Sequence, residues 1–210
     1  AVERMKVEFE KMIQSSYRKD ALKLFVETGL YQACPLFDGK DEILLKLAGF
    51  PLKEMSVLQA WILFVDELNL SDKEVTHLLK SWKSSNEQIR DVLVGYRTYR
   101  TRKNAEWNFF LAYECSYEVA CEVEQLLIAQ GKSESMQLLE KTYQSLPIHS
   151  MNDIQLNGHD IIRILKLDKK GPIIGQVLKT VEKMILEQSI QNDAEILETY
   201  VLAHFEGKSV

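Results

Sequence analysis

The chain has 210 residues, 46% of them hydrophobic and 27% charged, the proportions of a folded protein with one large domain or two small ones, which excludes a disordered tail. Its 26 Lys and Arg against 31 Asp and Glu leave a net charge of −5, so nothing attracts nucleic acid globally and any RNA contact has to come from local patches. The longest apolar run, Ala60 to Val65, is six residues, where a membrane-spanning helix needs about 20.

In chain order, the spacing predicts a helix over 2–14, with Val2, Met5, Phe9, Met12 and Ile13 inward and Arg4, Glu8 and Lys11 outward. A second runs over 18–28 and is closed by Gly29. Periodic stretches near 40–49 and 54–68 come next. Ser71-Asp72-Lys73-Glu74 and Ser84-Ser85-Asn86-Glu87 both fit the capping box, in which a serine hydroxyl and a glutamate carboxylate each satisfy a backbone donor. Further helices are expected near 105–113, 116–129 and 133–145. Asn157 is a suitable N-cap for a helix through Ile161, Ile162 and Leu165, with Asp160 in its first turn. The strongest signal is 173–188, where Ile173, Ile174, Val177, Leu178, Val181, Met184 and Ile185 form one face behind a Gly171-Pro172 start. No alternating β-branched run reads as a strand. The expected fold is all-α, about a dozen helices in an extended body with a small helical tail subdomain. Breaks at Cys34-Pro35 and at Ser145 to Ser150 give three expected parts, 1–36, 37–147 and 148–210.

Two clusters could hold phosphates. Arg97, Arg100, Arg102 and Lys103, interleaved with Tyr96 and Tyr99, carry four positive charges; they could also be the solvated end of a helix whose cations face the negative end of its dipole. Arg163, Lys166, Lys169 and Lys170 lead into Gly171 and Gly175, where a helix N-terminus offers N–H groups and glycine lets a phosphate approach. His159-Asp160 is a dipeptide used by metal-dependent phosphohydrolases. Only His149 and Asp193 are on hand as further ligands and no spacing ties them together, so capping is the better reading. No phosphate-binding loop, dinucleotide fingerprint, nucleophile elbow or D-x-D pair occurs. The Trp and Met residues fall within apolar patterns and are expected in the core. Cys34, Cys115 and Cys121 form no C-x-x-C pair and suit a reducing compartment. With no secretory signal behind Ala1, the expectation is a soluble, cytoplasmic protein without a membrane partner, and the missing initiator Met points to a processed or shortened chain.

Several ordered motifs carry a resemblance. They are Val2-Glu3-Arg4-Met5 with Glu8 and Lys11, then Glu27-Thr28-Gly29-Leu30 with Pro35, then Leu79-Lys80-Ser81-Trp82-Lys83. Ser145-Leu146-Pro147-Ile148, Leu156-Asn157-Gly158-His159-Asp160-Ile161, Gly171-Pro172-Ile173-Ile174-Gly175 and Asn192 complete the set. In this order they resemble the late neck, body and tail of bacterial CCA-adding enzymes, the class II tRNA nucleotidyltransferases, over essentially the whole chain. The resemblance implies a tRNA-binding C-terminal portion that positions the tRNA 3′ end. Residues 1–36 would be part of the neck, with Arg4 and Glu8 pairing along the helix; 37–147 would be the body and 148–210 the tail. It implies RNA contact by Lys169, Lys170, Gly171 and Gly175. Arg100, Arg102 and Lys103 match no family motif and remain candidates on charge alone. In the family a head domain carries the D-x-D pair with two metal ions, Mg in the parent enzyme, and a neck motif selects CTP and ATP. These motifs are absent from this sequence, so the chain alone is expected to be inactive and to bind no cofactor. A related poly(A) polymerase, a partial-CCA-adding enzyme or a stand-alone helical interaction module are the alternative readings.

Overall fold

The computed structural model describes residues 2–167 and 171–206. Among them the chain forms helices and no strand. The helices are α1 (Val2–Gln14), α2 (Arg18–Glu27), a 3₁₀ turn (Leu30–Ala33), α3 (Asp41–Gly49), α4 (Val57–Glu67), α5 (Asp72–Ser81), α6 (Asn86–Arg102), α7 (Phe109–Glu114), α8 (Tyr117–Ala129), α9 (Gln137–Gln144), a 3₁₀ turn (Met151–Asp153), α10 (Gly158–Leu165), α11 (Pro172–Leu186) and α12 (Ala194–Phe205). None of these helices is long and apolar enough to cross a membrane. Polar caps set many of the starts. Ser56 and Ser71 close full capping boxes with Gln59 and Glu74. Ser116 caps α8 and Asp193 caps α12, each side chain accepting from N–H groups that the first turn leaves unpaired.

Three elements depart from the sequence expectation. Helix α6 starts one residue late: Ser85, not Ser84, accepts from the Gln88 N–H, and the Gln88 amide donates to Glu10 instead of closing a box. The expected helix at 105–113 begins only at Phe109, because residues 105–107 are held elsewhere: Arg102 donates to the Ala105 carbonyl and the buried Trp107 indole donates to Glu124 at 2.8 Å. Helix α12 is not among the elements that periodicity predicts.

The chain divides into two compact units, one of residues 1–107 and 115–139, the other of 108–114 and 140–210. This division differs from the three parts expected from the sequence. Residues 1–36 share one core with the helices of the same unit, and the second unit begins earlier than 148 and recruits α7.

The core of the first unit is an aromatic cluster that draws on widely separated helices. Phe9 of α1 meets Phe37 edge to face at 5.1 Å, Phe37 lies 4.5 Å from Trp82, and Trp61 of α4 lies 5.4 Å from Trp82 and 5.9 Å from Phe64. Such rings bury much apolar surface, and tilted or edge-on contacts add to it. The Trp82 indole donates to the Pro35 carbonyl at 2.8 Å, so this proline break is tied into the core. Helices α4 and α6 cross closely at Gly95, where an added Cβ would stand 2.6 Å from Ile62 Cδ1; the missing side chain is what permits the approach. Arg18 is buried, donates to the Phe50 and Leu52 carbonyls, and burial pushes its pKa down.

In the second unit, Ile161, Val177, Val181, Leu197 and Val201 from α10, α11 and α12 form the core. Tyr113 of α7 donates to Glu182 of α11 at 2.5 Å, and burial together with that carboxylate pushes the phenol upward, so it stays a donor. Asn192 clamps the connection before α10: its amide donates to the Asp153 carbonyl at 2.8 Å and its oxygen accepts from Gln155 N–H at 2.9 Å.

Candidate nucleic-acid interface

The end of α6 uses most of its charge internally. Residues 100 and 102 differ by about 200° around an α-helix, so one faces solvent and the other the core. Arg102 is 7% exposed in its side chain and forms a 2.8 Å ion pair with the 1% exposed Glu124. Glu124 also accepts from Trp107 and from the Ser133 hydroxyl. Arg102 therefore leaves the set of candidate phosphate contacts: its guanidinium is enclosed and occupied by a carboxylate. Lys103 reaches both oxygens of Asp66 at 2.8 Å and lies 4.9 Å from the centre of the Tyr99 ring. Tyr99 donates to Gln130 at 2.8 Å, and burial pushes its pKa up to about 12. Arg97 pairs with Asp72. Arg100 is exposed, packs over the Tyr96 ring and donates to its hydroxyl at 3.2 Å; among the described residues it has no carboxylate partner. A helix end whose cations serve the fold thus describes three of the four charges in this cluster.

Lys169 and Lys170 lie outside the described residues. The helix they lead into has the expected start: Gly171 is its N-cap with no side-chain cap, and Pro172 occupies the first turn. Gly175 is exposed on α11 and shares one open face of that helix with Gln176, Lys179, Thr180 and Lys183. Helical spacing of three and four brings these residues onto one side. Lys183 pairs loosely with Glu187 at 3.6 Å, while Lys179 has no carboxylate partner among the described residues. Periodicity places Lys179 on the polar side of the helix without marking it as a site residue; its i,i+4 spacing from Gly175 is the signal in the sequence that could have found it. Arg163 is occupied by Glu198 at 3.3 Å.

The His159-Asp160 pair is used as a helix start. Asn157 accepts from the N–H groups of His159 and Asp160, and the Asp160 carboxylate accepts from Asn157 N–H at 2.9 Å. Asp193 likewise commits its carboxylate to the cap of α12, and the His149 N–H donates to Asp153. Backbone N–H groups of His149 and Ser150 hold the Asp153 carboxyl below its ordinary range. Gly158 lies close to α11: a Cβ there would stand 3.3 Å from Ile174 Cγ2, a tight contact that Ile174 would have to yield to by a few tenths of an ångström.

On α1 the expected Arg4–Glu8 pair does not form. Glu8 takes Lys11, three residues on, at 2.9 Å, because i,i+3 and i,i+4 neighbours compete for one carboxylate. Arg4 has no ion pair among the described residues.

Residues 53–201 match the family model for tRNA nucleotidyltransferase domain 2. The CCA-adding enzyme of Enterococcus faecalis is 31% identical over 94% of this chain, and that of Ligilactobacillus salivarius is 32% identical over 94%. This chain covers 48% and 49% of their lengths, so it spans about half the length of the curated relatives it matches. A crystal structure of the Bacillus stearothermophilus CCA-adding enzyme in complex with CTP shares the fold, with a TM-score of 0.83 at 23% identity over 97% of this chain and 52% of that one. With the helical fold, the ordered motifs and these matches in agreement, the chain belongs to the tRNA nucleotidyltransferase family of CCA-adding enzymes and corresponds to their C-terminal part.

Proposed function

We propose that this chain is the tRNA-binding portion of a cytoplasmic CCA-adding enzyme, holding the tRNA so that its 3′ end meets a head domain that carries the chemistry. The observation that carries this reading is the α11 face. A proline-started helix N-terminus at Gly171, a solvent-exposed Gly175 and a Lys179 with no carboxylate partner among the described residues lie together, directly after Lys169 and Lys170 in the sequence. Free N–H groups and partial positive charge favour phosphate at such a helix start. Contacts of this kind ignore sequence, as an enzyme that must accept every tRNA requires. Arg100, an exposed cation packed over the buried Tyr96 ring, is a second candidate for phosphate contact.

Changing Lys169, Lys170 and Lys179 together to alanine is expected to weaken binding to different tRNAs about equally. It should also lower the salt slope by roughly 0.7 to 0.9 for each phosphate that is no longer neutralised. Filter binding across a salt series measures both. A triple variant with unchanged affinity and slope would move the interface elsewhere, with Arg100 as the next candidate.

On this reading the Mg ions, CTP and ATP belong to the head. Asp160 and Asp193 are committed to helix caps and Glu124 to Arg102, which removes these carboxylates from the two-ion clamp that phosphoryl transfer uses. The pure chain, given tRNA with labelled CTP or ATP, is therefore expected to incorporate nothing. Any incorporation free of full-length contaminant refutes that expectation.

A further inference from the structure

Helices α3, α4 and α6 and the segment after α8, all within the first unit, surround a recess of about 260 Å3. Its floor is the edge of the apolar core: Leu47, Leu63, Phe64 and Tyr99 line it and are buried. Its mouth is charged. Lys103 reaches both oxygens of Asp66 at 2.8 Å, and Lys46 of α3 pairs with Glu67 of α4 at 2.6 Å. These two pairs tie α6 and α3 to α4 and neutralise themselves. The remaining charge, Lys132, is exposed and has no carboxylate partner among the described residues. Gln130 lines the recess with it. The Gln130 side-chain oxygen accepts from the Tyr99 hydroxyl at 2.8 Å, and burial pushes that phenol up to about 12, so it stays a donor. The NH2 of Gln130 is thereby left as the end that donates to a ligand.

We propose that this recess binds a small aryl carboxylate, with its ring on Phe64 and Leu47 and its carboxylate accepting from Lys132 and from the Gln130 amide. Apolar walls with a few convergent polar groups are the form that small-molecule sites take. The sign of the ligand follows from the mouth. Asp66 and Glu67 are already held by lysines, whereas Lys132 and Gln130 offer N–H groups and one uncompensated positive charge, which an anion satisfies with charge-assisted hydrogen bonds. Its size follows from the volume, since 260 Å3 holds roughly nine groups of the size of a water molecule at about 30 Å3 each. That is one ring with a carboxylate. Its aromatic character follows from the walls, where Phe50, Phe64 and Tyr99 present rings against which another ring packs edge-on or offset. A ligand this small binds with a Kd of about 0.1–1 mM. The site belongs to the first unit and the tRNA reading rests on α11 in the second, so the two stand separately.

The test titrates benzoate into the 210-residue chain and follows assigned backbone amides by proton–nitrogen correlation NMR. Saturable shifts are expected at Leu47, Phe64, Gln130 and Lys132. Benzylamine, which has the ring with the opposite charge, and acetate, which has the charge without the ring, should each bind at least about tenfold more weakly. Lys132→Ala should weaken benzoate about tenfold, the usual effect of losing a hydrogen bond to a charged group, and Lys132→Arg should retain most of the affinity because the charge remains. Lys132 is exposed, so both variants keep the fold, and unchanged spectra away from the recess check this. No saturable shift up to about 10 mM, benzylamine binding as well as benzoate, or an unchanged affinity in Lys132→Ala overturns the proposal. Tighter binding of phenyl phosphate than of benzoate also overturns it, by assigning the anion position to phosphate. No tRNA enters the experiment, so its failure leaves the tRNA-binding reading to its own test.

Discussion

Replacing Glu124 by alanine is expected to destabilise the first unit by about 3–5 kcal/mol, because it strands a buried guanidinium without its partner. Glu124 is 1% exposed and joins Arg102, Trp107 and Ser133, so one substitution unpairs groups on α6, on the segment before α7 and on the segment before α9. The cost comes from the charge left behind more than from the pair itself. Converting both partners to apolar residues of similar size, Arg102→Met with Glu124→Leu, should therefore recover most of the stability. Urea unfolding followed by circular dichroism checks both variants. A Glu124→Ala protein within about 1 kcal/mol of the parent would mean that Arg102 escapes to solvent, and would return it to the candidate RNA contacts.

Trp82→Ala is expected to cost about 3–5 kcal/mol in the same unit, the usual range for deleting a large buried ring. Trp82 is fully buried, packs among Phe9, Phe37 and Trp61, and donates to Pro35. Trp82→Phe should cost less, since a ring remains and the main change is the missing hydrogen bond, about 1–2 kcal/mol if the Pro35 carbonyl is left without a donor. Folded Trp82→Phe protein should bind tRNA like the parent. A selective drop in tRNA affinity at unchanged stability would show that Trp82 serves an RNA contact, against its place in the core.

Within the resemblance, several motif residues turn out to shape the molecule. Trp82 anchors the aromatic core, Asn157 and Asp160 start α10, Asn192 clamps the connection before it, and Gly158 lies close to α11. Asn157, Asp160, Asn192 and Trp82 direct their side chains to backbone groups, and Gly158 presents only its hydrogen to Ile174. An open face lies apart from these residues, at Gly175 and Lys179 on α11.

Short-range rules made much of this fold legible from the residues alone. Apolar spacing, proline at 172, glycine at 29 and the Ser71 box act within one or two turns of chain, and the helices they mark are present at those places. The same rules could not tell Ser84 from Ser85, because either serine can serve as the cap until packing chooses the register. Nor could they divide the chain into its two units, since α7 belongs to the second unit although the residues on both sides of it belong to the first. Charge was the least legible property. Arg100 and Arg102 are equivalent in a count of cations, yet two positions along α6 turn one outward to Tyr96 and the other inward to Glu124, 22 residues away. Whether a basic residue serves a ligand or the core depends on where a distant carboxylate lies, and only the tertiary structure brings that carboxylate within reach.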